Sequence, residues 1–184
     1  MINLVIARHG ETVENGLNIC QGQTDGTLSE KGKKDNEQLG IRLKQFAFQT
    51  IYTSTLNRAF ETAGTIQLHN PIAIIKTDNR LVERNLGVLQ GNPYPVPYIE
   101  TDLYEGMETI KSIKERLHSF LSDIKSKHSG ETVVLVSHGF VIKVLLTILR
   151  SIPTEDFHTI RLMSNSCYIE EMIHDDCNES VKNQ

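Results

Sequence analysis

The sequence predicts an α/β fold: a mainly parallel β-sheet with helices on both faces and one short lid insertion. Three observations predict it. Short continuous apolar runs, the mark of strands buried on both faces, occur at residues 2–7 and 132–136, with β-favouring runs at 50–53 and 72–76. Between them, apolar residues recur every three or four positions, as helices packed on a sheet require. The resulting order, βαβαβ…αβα, is that of a sheet covered on both sides.

Taken in order, residues 2–7 (INLVIA) form the first predicted strand. Leu39, Leu43 and Phe46 then mark a helix by their i, i+4, i+7 spacing. Residues 50–53 (TIYT) are the second strand. Leu56, Ala59, Ala63 and Ile66 mark a helix that begins near Thr55. Residues 72–76 (IAIIK) are the third strand. Residues 107–128 carry a long apolar stripe of Ile110, Ile113, Leu117, Phe120, Leu121 and Ile124. Residues 132–136 (TVVLV) are the fourth and strongest strand, followed by a helix marked by Val141, Val144, Leu145, Ile148 and Leu149. A late β pattern across residues 159–173 predicts one or two further strands. The polar tail, 174–184, is expected to fray.

One segment breaks this alternation. Residues 85–106 contain Gly87, Gly91, Pro93, Pro95, Pro97 and Gly106, too many breakers for a regular element and too long for a plain connection. A lid or binding loop spanning residues 85–110 is the preferred reading, against a mobile surface excursion.

The chain has 184 residues, enough for a substantial core, and residues 1–184 read as one catalytic domain. Hydrophobic residues make up 39%, charged residues 23%, and the formal net charge is −4. That balance lacks the basic face that a nucleic-acid or anionic-membrane binder needs, so the expected partner is a small molecule. The oligomeric state is left open. Three cysteines, Cys20, Cys167 and Cys177, form no CxxC pair and no disulfide framework. The N-terminal apolar run is cut by Arg8, too early for a signal or membrane segment, and a cytoplasmic protein is expected.

In open α/β sheets ligands bind beyond the carboxyl ends of the strands. Arg8 and His9 follow the first run, Ser54 and Arg58 the second, Glu83 and Arg84 the third, Ser137 and His138 the fourth. Two histidines, three arginines and a carboxylate thus converge on one edge. Arg58 falls in the first turn of its helix, where the macrodipole disfavours a cation. A surface pair with Glu61 at i+3 would explain it. With Arg8 at a neighbouring strand end, an anion held by arginine and free backbone N–H groups is preferred. Gly10 lets backbone or ligand approach His9, and the adjacent cation favours neutral imidazole, the form that can attack phosphorus. Two histidines could also bind a metal, but no HxH or HExxH spacing occurs and the arginines would repel a cation; no metal and no cofactor are expected.

These residues carry a family resemblance. Arg8-His9-Gly10-Glu11-Thr12 with Asn15 resembles the RHG[ET]xxN signature of the histidine phosphatase superfamily, the phosphoglycerate-mutase-like family. Gly22 to Asp25 with Leu28 to Gly32, Ser54 to Ala63, Leu81 to Gly91, and Ser137-His138-Gly139 resemble its further blocks, in family order. The resemblance implies a phosphoglycerate-mutase-like fold. It implies that His9 takes the phosphoryl group, that Arg8, Arg58 and His138 hold its oxygens with help from Asn15 and the Gly139 N–H, and that Glu83 is proton donor and then base. Glu11 is the rival donor. Further substrate contacts are expected from Gln21, Gly22, Arg84 and Tyr94.

Within such a family a phosphatase is expected rather than a mutase. Residues 81–91 (LVERNLGVLQG) look mutase-like, but Leu86 and Phe140 stand where the cofactor-dependent mutases usually have tyrosine and asparagine. Residues 85–110 carry no lysine or arginine, although a phosphoglycerate would want cations there. Tyr94, Tyr98 and Tyr104 either meet the substrate or pack the loop down. A mutase, and a module that binds phosphorylated ligands without turnover, are the alternatives.

Overall fold

The computed structural model describes residues 1–96 and 104–174. Strand β1 (Ile2–Arg8) lies between β4 (Thr132–Ser137), which pairs with it in parallel, and β5 (Tyr168–Ile173), which is antiparallel. Strand β2 (Thr50–Thr53) flanks β4, and β3 (Ile74–Thr77) closes the other edge, giving the order β3-β2-β4-β1-β5. Side chains alternate across a strand. Hence Leu4, Ile6, Val133 and Leu135 enter one core layer while Val5, Ala7, Val134 and Val136 enter the other.

Helices cover each layer. Helix α1 (Val13–Gly16) is a single turn held by a capping box between Thr12 and Asn15. Helix α2 (Glu30–Leu43) starts at the Ser29 cap and buries Leu39 and Leu43 on the Val5 layer, beside α3 (Asn57–His69) with Ala59, Ala63 and Ile66. On the Leu4 layer lies α4 (Ile110–Lys127), capped by Thr109. Its buried Ile113, Leu117, Phe120, Leu121 and Ile124 contribute about 2 kcal/mol each. Helix α5 (Gly139–Leu149) is buried from Gly139 through Thr147 and follows β4 directly. The expected α/β architecture, with a mainly parallel sheet and helices on both faces, is the observed one.

Several boundaries shift. The helix expected near Thr55 begins at Asn57, because Ser54 and Leu56 form an extended turn in which Ser54 Oγ accepts from Leu56 N at 3.2 Å. The third strand slides to Ile74–Thr77, since Ala73 N bonds back to Asn70 O. The 107–128 stripe yields a helix only from Ile110, with Met107 paired instead to Leu86. The late β pattern yields one strand, and Thr154–Thr159 is a 3-10 segment.

The base of the 85–110 insertion is pinned. Cys20 N donates to Asn92 O and Gly91 N to Cys20 O, both at 2.8 Å, and Tyr94 N donates to Asn18 O at 3.1 Å. Gly87 sits at φ 54, and a Cβ there would stand 2.0 Å from Glu105 O, so only glycine fits. Cys20, Leu86 and Met107 pack beneath with Tyr94 and Tyr104. Tyr98 and most of the polar tail lie outside the described residues, as does Cys177. Among the described residues no helix is long and apolar enough to cross a membrane.

Candidate active site

Parallel pairing sets the site. Arg8 is in register with Ser137, so β1 and β4 end side by side and the next residues of each, His9 and His138, become neighbours. Their rings lie 5.0 Å apart, tilted by 55°. Ser54 leaves β2 at the same edge, and Glu83 arrives after a 3-10 turn at Asn79–Leu81. Above them opens a cavity of about 430 Å³. Arg8, His9, Arg58 and Glu83 line its floor, with Asn15, Gln21, Gly22, Arg84, Tyr94 and Gly139 around it. Every site residue expected from the sequence is on this wall except His138, whose fully buried ring stands next to that of His9.

His9 is 3% exposed. Its Nδ1 lies 2.7 Å from Gly10 O. A carbonyl only accepts, so Nδ1 carries the proton and Nε2 is left with its lone pair. The backbone is clamped: His9 N donates to Ser137 O at 3.0 Å, while Asn165 Nδ2 and Ser166 N donate to His9 O at 3.0 and 3.3 Å. Burial, then the Arg58 and Arg8 guanidinium groups, hold His9 well below the usual imidazole range, so it is neutral near pH 7. His138 is held well below that range too, again chiefly by burial.

Gly10 corrects one expectation. The group that approaches it is a protein side chain: a Cβ at Gly10 would stand 2.7 Å from Nδ2 and Oδ1 of Asn36. Asn36 is itself fixed, donating to Thr62 Oγ1 at 3.0 Å and accepting from Ser166 Oγ at 2.9 Å. Gly10 N donates to the same Thr62 Oγ1 at 3.0 Å. A buried polar knot thus ties the His9 loop to α2, α3 and the segment before β5.

The cations are oriented by backbone. Arg58, 1% exposed, sends Nη1 to Thr24 O and Nη2 to Gly22 O, both at 2.7 Å, and not to Glu61. Arg8 Nη1 donates to Met163 O. The Nε donors of both arginines are buried and have no hydrogen-bond partner among the described residues. Burial lowers both guanidinium pKa values, and Glu83 opposes that most. Glu83 caps α5: Oε1 accepts from Arg84 N at 2.8 Å and Val141 N at 3.3 Å, and Oε2 from Phe140 N at 3.3 Å. Glu11 instead bonds Ser29 and Lys31, and does not line the cavity. Asn15 Oδ1 accepts from Thr12 N at 3.1 Å, which leaves its NH₂ as a donor.

Apart from Asn18, the rest of the wall is apolar: Ile19, Leu86, Pro95, Phe140 and Leu162. Leu86 and Phe140 stood out in the sequence only as departures from a mutase pattern. Phe140 lies under the Arg84 guanidinium, 4.6 Å from its carbon. Asn18, Ile19 and Leu162 carried no sequence signal, because each comes from a loop without periodicity, whereas Pro95 was marked only as one of the breakers of the 85–110 insertion. Among the described residues no group of three or more His, Cys, Asp or Glu side chains gathers as a metal site would need.

A family model described as "Histidine phosphatase superfamily (branch 1)" matches residues 4–183. The chain is 34% identical to "Phosphoglycerate mutase-like protein 4" of Arabidopsis thaliana, covering 77% of this chain and 68% of that one. It is 32% identical to "Uncharacterized phosphatase PhoE" of Bacillus subtilis, covering 80% and 77%. Among solved structures, a mycobacterial glucosyl-3-phosphoglycerate phosphatase complexed with VO3 superposes with a TM-score of 0.83 at 26% identity, covering 91% of each chain.

Proposed function

We propose that this chain, which belongs to the histidine phosphatase superfamily, hydrolyses a small phosphomonoester through a phosphohistidine on His9. The observation that carries the proposal is the Nδ1 to Gly10 O bond, which leaves a neutral Nε2 lone pair at the floor of an arginine-lined cavity. Nε2 attacks phosphorus and the ester P–O bond breaks. Glu83, in its carboxylic acid form, gives its proton to the departing alcohol oxygen. Water then transfers a proton to the Glu83 carboxylate as its oxygen attacks phosphorus. The P–N bond breaks, releasing phosphate and restoring His9. Throughout, Arg8 and Arg58 face the equatorial oxygens, where preorganised positive charge lowers the barrier most. The Asn15 amide and the Gly139 N–H add donors.

The substrate reading follows from the outer wall. Ile19, Leu86, Pro95, Phe140 and Leu162 offer an uncharged surface, with Tyr94 beside them and Arg84 as the outer cation. A monophosphate with an uncharged or amphipathic remainder suits it better than a bisphosphate. The similarity to named phosphatases supports hydrolysis, and the similarity to a mutase-like protein keeps phosphoryl re-transfer as the rival.

The test uses purified enzyme and p-nitrophenyl phosphate. Hydrolysis should proceed unchanged in EDTA, and acid-labile, base-stable phosphoprotein should be trapped. His9→Ala should abolish both. Activity that survives His9→Ala but vanishes in EDTA would overturn the mechanism. With 3-phosphoglycerate and 2,3-bisphosphoglycerate, formation of 2-phosphoglycerate in place of free phosphate would select the mutase.

A further inference from the structure

Ser54 follows β2 directly and is fully buried. Its Oγ accepts from Leu56 N at 3.2 Å and lies 2.7 Å from His138 Nε2. A hydroxyl has one proton to place, and leaving a buried proton unmatched is costly. Among the described residues Ser54 Oγ meets no acceptor other than His138 Nε2. With Nε2 accepting, only the Nδ1–H of a neutral ring lacks a partner among the described residues; with Nε2 donating, both the hydroxyl proton and the Nδ1 lone pair would lack one, so Nε2 accepts. A neutral ring then carries its single proton on Nδ1, and burial keeps this ring neutral.

That Nδ1 is buried and has no hydrogen-bond partner among the described residues. The ring stands 5.0 Å from that of His9 and close enough to the Arg58 and Arg8 guanidinium groups for their charges to act on it. We infer that Ser54 is a positioning residue that locks His138 as the Nδ1–H tautomer, so that this proton donates to an oxygen of the phosphoryl group seated on His9. The inference rests on the phosphohistidine reading above. The two histidines are then set as opposite tautomers by different partners. A carbonyl strips His9 down to a nucleophilic Nε2 lone pair, and a serine hydroxyl arms His138 with a proton. The other His138 tautomer would turn a lone pair toward the phosphoryl oxygens and repel them.

The experiment is ¹⁵N NMR of the histidine side chains in wild-type enzyme, with His138 assigned by its loss in His138→Gln. Nδ1 should appear protonated and Nε2 bare, and adding inorganic phosphate should move the Nδ1–H proton downfield. Ser54→Ala should weaken the Nδ1–H population and lower kcat about tenfold, or about 1.4 kcal/mol, with KM moved less. Ser54→Thr should recover most of both. A purely structural Ser54 would change stability without moving the tautomer. A protonated Nε2 in wild-type enzyme, or wild-type kcat with an unmoved His138 signal in Ser54→Ala, overturns the inference. If wild-type enzyme forms no phosphoprotein, the function proposal fails instead, and the tautomer signal still judges the Ser54–His138 assignment.

Discussion

Replacing Gly10 with alanine should unfold the protein markedly more easily, although the change adds one methyl group. The added Cβ would stand 2.7 Å from both polar atoms of the Asn36 side chain, closer than such contacts occur. Asn36 is fully buried and cannot swing away freely: it donates to Thr62 Oγ1 at 3.0 Å and accepts from Ser166 Oγ at 2.9 Å. Either the clash persists, costing about 1–3 kcal/mol as overpacking, or those two bonds break, costing about 1–3 kcal/mol for each buried group left unmatched. A loss of about 2–4 kcal/mol follows, and with roughly 2–4 °C per kcal/mol in a chain of this size Tm should fall by about 5–15 °C. Urea unfolding followed by circular dichroism measures it. The decisive control is the cycle with Asn36→Ala, which removes the atoms the methyl strikes. Gly10→Ala should then cost at least about 1 kcal/mol less in that background. Gly10→Ala within about 0.5 kcal/mol of wild type, or strict additivity in the cycle, would refute the close approach.

Further consequences can be checked in parallel. Glu83→Gln should slow hydrolysis of an alkyl phosphate by about 10²–10⁴-fold and of p-nitrophenyl phosphate far less, because nitrophenolate departs without a proton; equal losses on both substrates would exclude Glu83 as the acid. His9 and His138 both have folded pKa values below their unfolded values. The unfolded chain therefore gains protons first as pH falls below about 6.5, and stability should drop by up to about 1.4 kcal/mol per pH unit per histidine until the folded values are reached. Urea unfolding at pH 7.5 and 5.5 without phosphate reads this, and equal or higher stability at pH 5.5 would contradict it. Arg58→Lys should fail to rescue turnover, since one ammonium cannot span Thr24 O, Gly22 O and an oxyanion together; activity near wild type in a phosphate-release assay would show that a point charge suffices.

Much of the architecture was legible along the chain. The apolar runs of β1 and β4 and the helical stripe of α4 are local patterns, and burial on two faces or one leaves a direct mark on residue order. The short helix α1 left none, because its capping box does the work of periodicity. The late β pattern overreached for a related reason. Residues 163–167 turn to the site instead of extending a second strand: Met163 O accepts from the Arg8 side chain, Cys167 O from Arg8 N, and the Asn165 side-chain amide and Ser166 N both donate to His9 O.

By itself, then, the sequence determined which chemistry reaches the carboxyl edge of the sheet: Arg8, His9, Arg58, Glu83 and His138 each follow a recognisable strand or open a helix. Only the tertiary structure decided how each is aimed. Which nitrogen of His9 is bare depends on Gly10 O, which proton His138 presents depends on Ser54, and why residue 10 is glycine depends on Asn36. Strand and helix patterns arise from neighbours along the chain and are written in it. Close packing and hydrogen-bond direction arise between groups that folding brings together, 26 positions apart for Asn36 with Thr62 and 84 for Ser54 with His138, and even the bond from His9 to its neighbour Gly10 depends on a ring orientation that no local pattern encodes.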